Sequence, residues 1–548
     1  MIEINSLKLF NNFSAVILSN QHKPIIVTFC LYLIVMLAIG LYFLKKSNNL
    51  EGYLLGGRSM GSWVTALSTQ ASDMSGWLLM GLPGAVFVGG VSESWAGIGL
   101  FIGTFLNWLI VAPRLRVYTE QSGSLTISTF FERRFIDKYR LTQISSALII
   151  LFFFTIYVAS GLVLAGKLFH SLLGVKYNSA VLAGALVLVM YTLLGGFLAV
   201  CWTDLIQGLL MFVALLIIPI LAYFTLKDGE LITVAQAKNI SLNIMEFTNK
   251  EGNFQTLSVL AICSSLAWGL GYFGMPHVIV RFMSIKSHRD FPKAMSIAMV
   301  WVFISLFCSI VIGVLGIALY KTAPNGDKEQ VFIQMIRDLA NPWIGGVLMA
   351  AILAAIMSTV DSQLLVCSSS LTEDIYAVAK KKAKDKELLW VSRLCVFIVA
   401  IIAMLLAFSY DKEGANTGGT EKSILKLVSF AWAGFGAAFG PVIIRSLYSK
   451  KTTWYSALSG MVIGGVTVVV WYQIREYLSG EEFENCATLR EIFSVYELLP
   501  AFILNFVVMI IIDFIAPQQN NAILKGFDQM IKTVQNKEIE EDNSTKNC

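Results

Sequence analysis

Apolar runs long enough to cross a bilayer recur roughly thirteen times along this chain, and that recurrence limits the fold more than any other feature. They lie at about 24–45, 62–89, 95–115, 141–170, 178–198, 204–226, 256–277, 295–320, 342–371, 390–409, 424–448, 453–473 and 498–516. A helix of about 20 residues spans the ~30 Å hydrocarbon layer, where a backbone without internal hydrogen bonds has no partner. Of the 548 residues, 56% are hydrophobic and 14% charged, well below the roughly 25% charge of soluble domains. The expected fold class is an all-α polytopic membrane protein of about 13 transmembrane helices in a lipid bilayer.

One run breaks the apolar pattern. Between Trp63 and Val88 it reads Ser68-Thr69-Gln70-Ala71-Ser72-Asp73-Met74-Ser75-Gly76-Trp77-Leu78-Leu79-Met80-Gly81. A charge at membrane depth costs at least ~2.5–3.5 kcal/mol, so it more often marks an ion or solute path than a structural contact. Gly76 and Gly81 loosen the helix and free carbonyls that can bind a cation. A polar helix–helix contact through Ser and Thr is the plainer alternative.

The ninth run sets Ala355, Ser358 and Thr359 at i, i+3 and i+4, on one helix face. Two hydroxyls and a carbonyl make part of a shell for a hard monovalent cation. Bonding back to the preceding turn is the alternative. In the seventh run, Trp268 and Tyr272 stand four residues apart and are expected to face one way, while three glycines and Pro276 interrupt the helix. Two broken helices opening two oppositely oriented five-span blocks point to an inverted-repeat transporter.

Other polar positions read more plainly. Tyr157, near Ser160 and Gly161, is a packing tyrosine or a ligand. Asp204, after Trp202-Thr203, is expected to cap the sixth run, with lining of a vestibule as the alternative. Arg58 and the Arg114/Arg116 pair are gate residues or simple anchors. Glu373-Asp374 closes the ninth run among charges expected to be solvated. Most of the 41 basic residues fall in alternate loops, Arg281 counted among them, which places the N-terminus outside and the C-terminus in the cytoplasm. The start, Met1 to about Lys23, lacks the order of a cleaved signal. In the tail, Ala522–Val534 is expected to form a surface helix and the rest to be disordered. The eight cysteines form no Cys-x-x-Cys pair, and the four histidines lack metal-ligand spacing. No P-loop, nucleophile–base pair or metal triad is present in the sequence, so an enzyme is not expected, and the modest net charge gives no reason to expect nucleic acid as a partner.

These segments resemble the sodium/solute symporter family, and specifically its sodium/proline branch. The resemblance is carried by Gly56-Gly57-Arg58-Ser59, the run from Ala71 to Gly84, Ser92-Glu93-Ser94-Trp95 and Gly195-Gly196-Phe197-Leu198-Ala199-Val200 with Trp202-Thr203-Asp204. Trp268 to Gly274 with Pro276-His277, and Ala354 to Thr359 with Gln363 to Val366, complete it. It implies a LeuT-type core of two inverted five-helix repeats. The expected divisions are an extracytoplasmic segment 1–23, a first helix and loop 24–61, repeat one 62–254, repeat two 255–450, two further helices 451–516 and a cytoplasmic tail 517–548. It implies a sodium ion (Na+) held by carbonyls of Ala71, Met74 and Ala355 and hydroxyls of Ser358 and Thr359, with Asp73 in support. It implies a proline pocket built from Ser75, Gly76, Trp77, Gly81, Tyr157, Trp268, Tyr272 and Pro276. Arg58 and Asp204 match positions tied to coupling or gating. Asp361 departs from the branch, where a small polar residue is expected. It is read as facing a wet inner vestibule, with an added cation or proton station as the alternative. Another small solute, such as pantothenate or a different amino or carboxylic acid, stays open as the cargo, as does proton coupling through Asp73 or Asp361.

Overall fold

A computed structural model of the chain describes residues 23–44, 50–194, 196–249, 252–380, 383–416, 424–478 and 487–545. Nearly all of the segment 1–23, Gly195 and the last residues of the tail lie outside the described residues. In chain order the main helices are α1 (Lys23–Leu44), α2 (Ser62–Asp73), α3 (Leu82–Gly89), α4 (Ser94–Leu106), α5 (Ala112–Gln121), α6 (Ile127–Phe135), α7 (Leu141–Leu173), α8 (Tyr177–Leu194), α9 (Phe197–Tyr223) and α10 (Glu230–Ala237). A short hairpin follows, β1 (Glu246–Thr248) against β2 (Phe254–Thr256), antiparallel with Phe247 opposite Gln255. Then come α11 (Val259–Leu266), α12 (Pro276–Ser284), α13 (Phe291–Leu319), α14 (Val331–Leu339), α15 (Pro342–Ser369), α16 (Asp385–Asn416), α17 (Ile424–Tyr448), α18 (Trp454–Leu478), α19 (Ala487–Ser494), α20 (Leu498–Ile515) and α21 (Asn521–Thr545).

Among the described residues ten helices are long and apolar enough to cross a membrane, or eleven if the bent pair α11–α12 counts as one. Two more expected spans correspond to shorter apolar helices, Trp77–Gly89 and Tyr177–Met190, so length and composition alone do not carry the count of thirteen.

Helix α15 runs through the centre and packs on α1, α2, α7, α9 and α16. Lipid-facing helices keep large apolar side chains exposed, such as Leu31 on α1 and Phe303 on α13, as a hydrocarbon solvent allows.

Both expected breaks are present, and each has a local cause. The first helix stops at Asp73, Met74 turns to φ −83°, ψ 78°, and the chain re-enters through a π-turn at Trp77–Gly81. Pro83 follows in the first turn of α3, where its missing N–H costs least. At the second break α11 tightens into a 3₁₀ stretch, Ala267–Gly274, and Met275 is extended, as a residue before proline prefers. The axis bends 46° there and α12 starts at Pro276. Gly274 is required at this bend: a Cβ would sit 2.2 Å from the Phe435 carbonyl oxygen on α17.

Three differences in boundary bear on the site and the tail. Gly196, at φ +97°, separates α8 from α9, so α9 starts seven residues before its expected span and Asp204 lies inside it rather than at a cap. The seventh span continues past His277 to Ser284. The tail helix runs from Asn521 to Thr545 rather than fading into disorder, and it buries Ile523, Phe527 and Met530, which recur at helical spacing on its docked face.

Candidate functional site

The two breaks and the middle of α15 meet in one buried region. The Ser358 hydroxyl reaches across to the Ala71 carbonyl at 2.7 Å and to the Ala355 carbonyl at 3.2 Å. Thr359 donates to the same Ala355 carbonyl at 3.2 Å. Two carbonyls and two hydroxyls therefore cluster where α2 loosens against α15, with Ser358 and Ala355 fully buried. Met74 stands at the cap, its N–H on the Gln70 carbonyl at 2.8 Å. This donor set is all neutral oxygen, the chemistry a hard monovalent cation takes in place of water.

Asp73 is 0% exposed. Tyr272, from the second break, donates to its Oδ2 at 2.5 Å, and the Trp77 indole donates to its carbonyl at 3.3 Å. Ser75 and Trp77 bring the first break next to Tyr157, which meets the His277 ring edge-on at 6.4 Å. Gly76 lies between Leu164 and Ile356, and Gly81 against Leu425. Trp268 and Tyr272 lie on a 3₁₀ stretch rather than the α-helix expected of them. The 3₁₀ stretch has three residues per turn, so positions four apart diverge. Trp268 stacks on Tyr496, with centroids 5.2 Å apart.

One layer further along α15 lies an ion-pair network that sequence reasoning missed. Arg281 on α12 is 1% exposed and donates to Asp204 Oδ2 at 2.8 Å, to Ser68 at 2.7 Å and to Ser362 at 2.5 Å. Ser362 in turn donates to the Ser358 carbonyl at 2.7 Å, which links the guanidinium to the oxygen cluster. Asp204 pairs rather than caps. Asp361 is fully buried beside Ser362, not turned to an open vestibule. Glu373-Asp374 also differs: Asp374 is buried and accepts from Thr126 at 2.8 Å and Gln143 at 3.1 Å. Four carriers of hydrogen bonds, Ser68, Asp204, Arg281 and Ser362, thus tie α2, α9, α12 and α15 together.

Polar contacts join neighbouring helices and loops at each end of this region. At one, Met60 and Ile285 form a parallel bridge. Arg58, at φ +52°, donates to the carbonyls of Met283 (2.8 Å), Thr119 (3.0 Å) and Ser124 (2.8 Å). Arg116 donates to the Ile285 carbonyl at 2.7 Å and pairs with Glu120 at 2.7 Å. Arg114 instead reaches the Leu447 carbonyl at 3.0 Å and lies over the Tyr448 ring. At the other end Lys167 pairs with Asp327 at 2.8 Å and Glu329 at 2.7 Å. Glu329 also accepts from the Ile424 N–H at 2.9 Å, which fastens the loop before α14 to α17.

A buried cluster of neutral oxygens where an unwound helix meets the continuous α15, with a second unwound helix reaching the same region through Tyr272 and Asp73, is the arrangement of a secondary transporter. Comparison with known proteins gives the same class. The model of the Sodium:solute symporter family matches residues 53–464. This chain belongs to that family. It is 44% identical over 513 residues to the sodium/proline symporter of Escherichia coli (strain K12), covering 92% of this chain and 95% of that one. It is 45% identical over 503 residues to the high-affinity proline transporter PutP of Bacillus subtilis (strain 168), covering 91% and 100%. Among solved structures, a Na+-coupled sialic acid symporter in a substrate-bound outward-open state superposes with a TM-score of 0.72 at 19% identity, over 91% of this chain and 99% of that chain. MhsT in complex with L-phenylalanine gives 0.51 at 14%, over 82% and 97%. The fold is of the LeuT type.

Proposed function

We propose that this chain imports L-proline with sodium across the plasma membrane by alternating access. The observation that carries the reading is the Ser358–Ala71 contact at 2.7 Å, which joins the first broken helix to α15 through oxygens suited to sodium. Relatives at 44% and 45% identity over nine-tenths of the chain are named for proline transport and support the cargo.

In this reading sodium takes the carbonyls of Ala71, Met74 and Ala355 and the hydroxyls of Ser358 and Thr359, with Asp73 in support. Sodium binding pins α2 to α15 and holds the first break in the shape that receives proline. Proline lies between the two breaks, among Ser75, Gly76, Trp77, Gly81, Tyr157, Trp268, Tyr272 and Pro276. Freed N–H groups suit its carboxylate, and the aromatic faces suit its ring. Each ligand then favours the other through a shared arrangement. One sodium moving down a tenfold gradient and ~100 mV releases about 3.7 kcal/mol, enough for roughly 500-fold accumulation. Arg58, Asp204 and Asp361 act on coupling and gating. Residues 62–254 and 255–450 form the two inverted repeats, flanked by 24–61 and 451–516. The distribution of basic residues supports an N-terminus outside and a cytoplasmic C-terminus, which makes the Arg58 end the cytoplasmic gate.

Uptake of labelled proline into proteoliposomes tests this. Concentrative uptake under an inward sodium gradient, absent when choline replaces sodium, is expected. Uptake driven by a pH jump without sodium overturns the coupling ion. Stronger competition by pantothenate or another amino acid than by unlabelled proline overturns the cargo.

A further inference from the structure

The wall behind Trp268 is built by a part of the chain outside both repeats. Tyr496 lies in the short link between α19 and α20, and it is 7% exposed. Its ring stacks on Trp268 with an interplanar angle of 21°. Its N–H takes the Ser264 hydroxyl on α11 at 2.8 Å, and its own hydroxyl donates to the Ser429 carbonyl on α17 at 2.8 Å. The link itself is fixed to α18. Arg475 pairs with Glu497 at 2.6 Å, with Glu497 fully buried, and the Trp471 indole donates to the Val495 carbonyl at 3.0 Å. On its other side Trp268 is held by its carbonyl, which accepts from the Trp432 indole at 2.8 Å.

A 3₁₀ stretch has poorer hydrogen bonds than an α-helix and is soft without outside support. Here the aromatic contact on the Trp268 ring is a flat side chain on an anchored link. We propose that Tyr496 is a positioning residue that fixes the Trp268 ring and thereby sets the ring size of the imino acid this carrier accepts. The inference rests on the reading that Trp268 lines the proline pocket.

The test compares uptake of proline with that of its six-membered-ring homologue, piperidine-2-carboxylate, in proteoliposomes of wild type, Tyr496→Ala and Tyr496→Phe. Loss of an aromatic stack is worth roughly a two- to ten-fold change. The Ala variant is expected to raise KM for proline by that factor, to change kcat less, and to lose the same factor in proline-over-piperidine preference. Tyr496→Phe keeps the ring and should recover most of that preference. A preference within twofold of wild type in Tyr496→Ala overturns the proposal. Wild type that takes up no proline sinks the functional reading instead. Hydrogen–deuterium exchange of residues 264–274 then decides the proposal: faster exchange in the Ala variant, but not in Tyr496→Phe, supports it, and unchanged exchange overturns it. Should Tyr496→Ala fail to insert, Ser264→Ala, which removes only the partner of the Tyr496 N–H, is read by both measurements with the same expected directions.

Discussion

Removing a single oxygen, in Tyr272→Phe, separates a coupled pair of breaks from two independent ones. The Tyr272 hydroxyl donates to Asp73 Oδ2 at 2.5 Å, both residues are essentially inaccessible, and Oδ1 of Asp73 has no hydrogen-bond partner among the described residues. A buried bond to a carboxylate contributes about 1.5–3 kcal/mol, so its loss corresponds to roughly a 10- to 150-fold change in an equilibrium. The bond joins α2 to the second break, so its loss falls on the arrangement in which both breaks are together. If that is the arrangement that takes sodium and proline, the sodium concentration for half-maximal uptake and the KM for proline should rise by about the same factor. Titration of proline uptake against sodium in proteoliposomes, at matched amounts of inserted protein, gives both numbers. A double-mutant cycle with Asp73→Asn supplies the check: the double variant should be little worse than Asp73→Asn alone, because the partner is already changed. Fully additive losses, or half-maximal sodium within twofold of wild type, would refute the reasoning.

Three further outcomes are expected. Ser358→Ala and Thr359→Ala should each raise the sodium requirement severalfold while insertion, followed by immunoblot, stays near wild type, because both hydroxyls lie in the oxygen cluster. Arg58→Lys cannot span the carbonyls of Met283, Thr119 and Ser124 at once, since lysine lacks the planar fork. It should speed maleimide labelling of a Ser369→Cys reporter in the cavity shared with Arg281 and Ser362. Phe527→Ala removes a ring that is 2% exposed and lies 5.3 Å from the Arg134 guanidinium, a loss of about 3 kcal/mol at the docked tail. The readout is early proteolytic release of the tail, and wild-type resistance would count against the docking.

Why some of this was legible in the chain, and some not, follows from where the information lies. Both breaks are encoded locally, by Gly76 and Gly81 before Pro83, and by Gly274 before Met275-Pro276, because backbone freedom and a missing N–H act within one turn. The face shared by Ala355, Ser358 and Thr359 is likewise fixed by helical spacing alone. Arg281 looked like a loop anchor because it falls past the expected end of the seventh span at 277, together with Lys286, Arg289 and Lys293. Its burial is decided by Asp204 and Ser68, which are 77 and 213 residues away. Asp204 looked like a cap because hydropathy starts the sixth span at 204, whereas Gly196 ends α8 early and α9 already begins at Phe197. Tyr496 carried no signal at all: it lies in a link of unremarkable composition, and only the fold brings it to Trp268. A buried arginine is costly unless its charge is paired and its N–H groups are hydrogen-bonded, so its partners have to be contributed by several helices at once. Residues of this kind are the ones a one-dimensional reading assigns to solvent, and in a transporter they sit where helices must hold together in one state and part in the next.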